Sequence, residues 1–268
     1  MKALSHAEKI LKQLGITEPR DIDLEAIAWT LGVHVKYQPL DGCEARIIGH
    51  NDQAIVTVNS RSSPQRQRFS LAHELGHWNH HRGRILVCRA DEIGGGDNKR
   101  PPAERIADTY AADILMPRYI FQPVAQRYAK FTFQTVREIA GIFDASLTAT
   151  AIRLVEGDHS PAILVCHGQK GRKWFCRSPS IPERWFPQEQ LDSDSYALDI
   201  LFNRKAEETI PRKIGADAWF DRNGAAKYEI SEQTVRIGDG EILSLLLIDD
   251  GRMLDDEDTP ERRWKAHR

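Results

Sequence analysis

The 268 residues are 41% apolar and 28% charged, an ordinary soluble composition, and the length suffices for one large or two modest domains. A formal charge of −2 provides no basic field to draw the whole protein onto nucleic acid or an anionic membrane. No apolar run of roughly 18 residues occurs, and Met1–Gly15 lacks a signal-peptide pattern, so the expectation is a cytoplasmic protein with no membrane partner. Four cysteines (Cys43, Cys88, Cys166, Cys176), none in C-x-x-C spacing, are too few for a disulfide framework and read as reduced thiols.

Along the chain, Ala3–Leu14 and Asp23–Leu31 carry apolar residues at helical spacing and stop at Gly15 and Gly32. The period then changes. Val33–Tyr37, Ala45–Ile48 and Ala54–Val58 are short β-branched runs, the last two joined by a hairpin turn at Gly49-His50-Asn51-Asp52. An exposed edge on one of these last two strands would accept a peptide segment as an added strand; packed sheet is the alternative. Ser62-Ser63-Pro64 opens a helix, with Gly83 as its end and a Gly- and Pro-containing loop over Ile93–Pro102. A further helix runs from Ala103 to Met116 and is closed by Pro117. The order of helices and a small sheet predicts an α+β fold.

The first of these two helices contains His73-Glu74-Leu75-Gly76-His77, an H-e-x-x-H pattern. Imidazoles four residues apart share one helical face, close enough for both to reach a single ion, and Glu74 is then placed to take a proton from a water the metal activates. A catalytic zinc wants three protein ligands and an open position. Glu104 and Asp108 on the second helix also share a face, so Glu104 is the candidate third ligand. Asp108 would then accept a hydrogen bond from a ligand histidine and fix its tautomer. Without the histidines the same two acids would read as a solvated pair flanking Arg105.

These two segments, Arg68 through His77 with His81 after them and Glu104-x-x-Ala107-Asp108-x-Tyr110-Ala111-Ala112-x-Ile114-Leu115-Met116-Pro117, resemble the ImmA/IrrE family of zinc metallopeptidases. The likeness extends upstream to Asp23–Val33 and covers roughly residues 1–155. It implies a gluzincin-like fold, zinc on His73, His77 and Glu104, Glu74 as general base, and an XRE-like helix-turn-helix repressor as protein substrate. Asp108 and Tyr110 stand where the family more often shows Asn and Phe; Asp is the stronger acceptor for a histidine. An oxyanion donor is also needed. His80, His81 and Tyr110 are the candidates, with His81 favoured because it lies eight residues past His73; Tyr110 otherwise reads as a core aromatic. Cys88 is a structural thiol or a latch on the metal's fourth position.

Phe133–Phe143 and Ser146–Glu156 read as two helices with a tight turn at Asp144-Ala145, a helix-turn-helix-like pair. The second helix offers one cation, Arg153, so packing or repressor docking is expected there and direct DNA binding is the alternative. Strands follow at Ala162–Cys166, Lys173–Arg177, Thr234–Ile237 and Ile242–Ile248, with a helix at Ser193–Phe202. The expected organisation is a zinc metallopeptidase domain at 1–128, the helical segment at 129–157 and a β-rich domain at 158–250. The last is an aromatic-rich core or a sensory, GAF-like module, and a disordered charged tail follows at 251–268. The functional expectation is a zinc endopeptidase that cleaves a repressor and so derepresses stress or mobile-element genes. The alternatives are a non-catalytic DNA- or protein-binding regulator with structural zinc, and the enzymatic partner of a toxin–antitoxin-like module.

Overall fold

The computed structural model describes residues 3–80, 86–89, 101–203 and 206–255, with the backbone alone at 86–89. Helix α1 (His6–Gln13) opens on a capping box: the Ser5 hydroxyl accepts from the Glu8 N–H while the Glu8 carboxylate accepts from the Ser5 N–H. Asp23 caps α2 (Leu24–Thr30). Strands β1 (Val33–Gln38), β2 (Cys43–His50) and β3 (Gln53–Asn59) precede α3 (Pro64–His80). The β2–β3 turn carries Asn51 in the left-handed region, as a two-residue hairpin connection demands. Strand β4 (Leu86–Arg89) and α4 (Pro102–Leu115) come next.

The first sheet has the order β1-β3-β2-β4, with β1 parallel to β3 and the remaining pairs antiparallel. The strands Ala45–Ile48 and Ala54–Val58 are therefore both interior, and the expected edge site on either is ruled out by β1 and β4 pairing alongside them. Val33, Ala45, Ile47, Ala54, Val56 and Val58 turn inward toward α3. That helix is enclosed: every residue from Ser70 to Trp78 is buried, including the polar Ser70, His73, Glu74 and His77, which share one face at helical spacing. Trp78 fixes it on the sheet side. Its indole N–H donates to Leu31 O at 2.9 Å, and its ring occupies the space above Gly49, where an added Cβ would lie 2.3 Å from a ring carbon.

Pro117 ends α4 as expected but also starts α5 (Arg118–Ala125), which the sequence reading did not foresee. Proline is equally at home just before a helix, where it needs no N–H partner. Helices α6 (Phe133–Phe143) and α7 (Leu147–Glu156) are joined through Asp144, in the left-handed conformation. The Asp144 carboxylate accepts from Gln65 at 3.1 Å and pairs with Arg68 at 3.4 Å, so this turn is docked on the start of α3. The lone cation of α7 faces inward: the Arg153 guanidinium is buried, 2.8 Å from Asp113 of α4 and 2.9 Å from Met116 O. A guanidinium so committed has none of its reach left for a phosphate, and the DNA-reading alternative loses its one contact.

Strands β5 (Ala162–Gly168) and β6 (Gly171–Arg177), helix α8 (Tyr196–Phe202), strands β7 (Arg212–Gly215), β8 (Glu229–Gly238) and β9 (Glu241–Leu247), and helix α9 (Gly251–Asp255) complete the chain. The second sheet is antiparallel throughout, in the order β6-β5-β9-β8-β7. Alternate residues feed two cores. Leu164, Cys166, Leu243 and Leu245 join the main core with Phe133, Ile139 and Leu154. Ile163, Val165, Ile242 and Leu246 face Trp185, Trp219 and Phe220 on the other side. The main core thus runs across residue 158. The expected disordered tail needs correction at its start: Gly251–Asp255 is helical because Met253 is a buried plug whose carbonyl accepts from the Trp185 indole at 2.8 Å. Residues 256–268 lie outside the described residues, as do Gly83 and the expected loop from Ile93 as far as residue 100. Among the described residues no helix is long and apolar enough to cross a membrane.

Replacing Arg153 by Ala leaves the Asp113 carboxylate and the Met116 carbonyl buried without their partner. We expect a loss of about 3 kcal/mol of folding free energy in urea titration. A loss under ~1 kcal/mol would show that water reaches the pair.

Candidate metal centre

The centre is built by the crossing of α3 and α4. His73 and His77 sit one turn apart on α3, fully buried, and Glu104 and Asp108 one turn apart on α4, partly exposed. The Nε2 atoms of His73 and His77 lie 3.0 Å apart. Glu104 spans both: its Oε2 is 3.1 Å from His73 Nε2 and its Oε1 is 3.3 Å from His77 Nε2. Asp108 Oδ1 is 2.9 Å from His73 Nδ1, on the far side of the ring, so the ionised carboxylate accepts from Nδ1–H. The histidine that Asp108 engages is therefore His73.

Glu74 is fully buried beside this group, and its charge acts on His73 and on Cys43 of β2. Burial pulls the pKa of His73 down. Hydrogen bonds to Asp108 and Glu104, with the charges of Asp108 and Glu74, outweigh it and raise the pKa to about 9. The hydrogen bond from His73 holds the Glu104 carboxyl below its ordinary range, against the upward pull of burial.

These residues suit a divalent ion. One ligand atom from each of His73, His77 and Glu104 falls within 4.8 Å of the others, and two imidazole nitrogens with one carboxylate oxygen are a donor set zinc accepts. Of the oxyanion candidates, Tyr110 packs on the α3 motif at Gly76. It is buried, with its ring perpendicular to His80 at 6.0 Å, and lines a cleft of about 650 Å³ with His6, His80, Arg105, Thr109 and Asp113. Burial pushes its hydroxyl pKa upward, so it stays protonated. His81 lies outside the described residues, and so does the Cys88 side chain, although its backbone pairs with Ala45 across β2–β4.

Two residues at this centre received no role of their own from the sequence pattern. Cys43, partly exposed at the start of β2, has its thiol pKa pushed up by burial and by Glu74 among other charges; nothing in its sequence neighbourhood marked it. Gly76, inside the motif, lies where α3 meets α4 backbone with no room for a Cβ. Its place between His73 and His77 was the available signal.

A peptidase M78 family model, described as the IrrE N-terminal-like domain, matches residues 28–155. The chain is 28% identical over 167 residues to the radiation response metalloprotease IrrE of Deinococcus radiodurans, covering 62% of this chain and 45% of that protein. It is 29% identical over 116 residues to the protein of the same name from Deinococcus deserti, covering 41% of this chain and 38% of the other. The chain therefore spans less than half the length of these relatives. A solved structure named Mycobacterium tuberculosis transcriptional regulator shares the fold, with a TM-score of 0.60 at 14% identity over 90% of this chain and 74% of that one.

A proton held on His73 up to about 9 must leave before the nitrogen can bind a cation. Apparent zinc affinity should therefore rise with pH, about tenfold per unit from neutrality toward 9. Competition against a chromophoric chelator measures this, and a flat profile would place no proton there.

Proposed function

Because this chain belongs, through residues 28–155, to the ImmA/IrrE family of metallopeptidases, we propose that it is a zinc-dependent endopeptidase acting on a regulatory protein, specifically a helix-turn-helix repressor of the XRE-like kind. The observation that carries the reading is the buried carboxylate of Glu74 beside an assembled His73–His77–Glu104 group. A metal kept only for structure needs no such base, and burying a carboxylate without a task is costly.

His73, His77 and Glu104 would hold the ion, and zinc bound there would supply an acidified water and a polarised scissile carbonyl. Glu74 would take a proton from the attacking water and pass it to the leaving amine. Asp108, on Nδ1, keeps His73 in the tautomer that turns Nε2 toward the ion. The group is recessed, with the side chains of His73 and His77 fully buried and that of Glu104 14% exposed, so the substrate presents an extended segment rather than a folded surface. Cutting such a segment of a repressor would release the genes it silences. The free thiols Cys43, Cys166 and Cys176 fit a cytoplasmic place of action.

The test is incubation of zinc-loaded protein with the helix-turn-helix repressor encoded beside its gene. One cut is expected. Glu74→Gln should retain zinc and lose about 10³-fold in cleavage, whereas Glu104→Ala should lose the zinc itself. Undiminished cleavage by the Glu74→Gln protein would sink the mechanism and favour a non-catalytic regulator.

A further inference from the structure

We propose that Gly76 is a positioning residue for the metal: the missing side chain sets the α3–α4 spacing that lets Glu104 and Asp108 reach the two histidines. The inference rests on the zinc reading above. A Cβ built on Gly76 would lie 2.9 Å from Ala107 Cα, 3.1 Å from Ala107 O and 3.1 Å from Tyr110 Cβ. The first two are backbone atoms, which cannot swing aside. Ala107 and Ala111, both buried, keep the α4 side equally low. The contact falls between the two acids along α4, three residues after Glu104 and one before Asp108, so both carboxylates ride on it.

Distances decide the consequence. Carbon atoms in contact settle at about 3.5–4.0 Å, so a methyl group at Gly76 requires α4 to withdraw by about 0.6 Å or more. Zinc ligands tolerate about 0.2 Å. Glu104 carries the third ligand from α4 alone, and a withdrawal of that size takes it out of range while leaving the two histidines, both on α3, where they are. The fold itself loses only a fraction of one helix–helix contact. Gly141 of α6 provides a built-in comparison: it is also helical, and a Cβ there meets nothing within 4 Å.

The experiment compares Gly76→Ala, Gly141→Ala and the unaltered full chain by zinc competition and by melting of the metal-free proteins. Gly76→Ala should raise the zinc dissociation constant at least tenfold and shift affinity toward the larger cadmium ion, while its metal-free form still melts cooperatively. Gly141→Ala should bind zinc as the unaltered chain does. Adding Ala107→Gly to Gly76→Ala should restore nothing, because the clash is with backbone. Unchanged zinc affinity in Gly76→Ala, or a metal-free Gly76→Ala chain that no longer folds, overturns the proposal, the second by assigning Gly76 to general packing. If instead the unaltered chain and Glu104→Ala bind zinc alike, the metal reading itself fails.

Discussion

An imidazole on one helix can be held between two carboxylates on another only where the helix backbones nearly touch. His73 is in that position, with Asp108 on Nδ1 and Glu104 on Nε2, and the latter carboxylate reaches on to His77. Every chemical property of the centre follows from this one crossing. The carboxylates raise the His73 pKa against the pull of burial, the shared Glu104 gathers the two Nε2 atoms toward one point, and the pair Asp108–His73 fixes which nitrogen faces that point. Burying polar groups is costly unless they are paired, and the crossing pairs His73 with Asp108 and Glu104 and His77 with Glu104.

Much of the remaining structure holds those two helices in place. On one side α3 is pinned by Trp78, locked over Gly49 and bonded to Leu31. At its start, Gln65 and Arg68 engage the Asp144 turn of the helical pair. On the other side α4 is tied through Asp113 and Met116 to Arg153 of α7. Just beyond it, Arg118 at the start of α5 bonds the buried Glu8 of α1. Burial would raise the Glu8 pKa, but the Arg118 hydrogen bonds and the capping-box N–H of Ser5 lower it, so the carboxylate stays charged inside the fold. Buried pairs of this kind add little net stability; what they provide is a single allowed geometry, since any other packing strands a charge.

What could be read from the sequence was what is local to one helix. The i, i+4 spacing of His73 and His77, and of Glu104 and Asp108, already puts each pair on a face, and helix geometry needs no partner to do so. The hairpin at Asn51 and the turn at Asp144 were legible for the same reason, since each is decided by the backbone freedom of one or two residues. What stayed hidden depended on a second element. Gly76 looks like any motif spacer until α4 lies against it, and Arg153 looks like a sparse phosphate contact until Asp113 appears beside it. Strand β4 is four residues long, too short for alternation to announce it, and its pairing is what makes β2 interior. Pro117 marks a helix boundary without saying on which side the next helix lies.

The stretch matched by the family model ends at residue 155, but the hydrophobic core does not. Helices α6 and α7 bury Phe133, Ile139, Leu154 and Val155 in one continuous cluster with Ala162, Leu164, Leu243 and Leu245 of the second sheet. The Phe133 N–H also donates to the Gln233 side chain at 2.9 Å. The second sheet therefore closes the apolar face of the very helix whose Arg153 secures α4. Contacts run from that sheet to α7 and from Arg153 of α7 to Asp113 and Met116 of α4, in a closely packed interior. The part of the chain beyond the matched stretch thus shares the core that seats α7, the helix whose Arg153 pairs with Asp113 of α4.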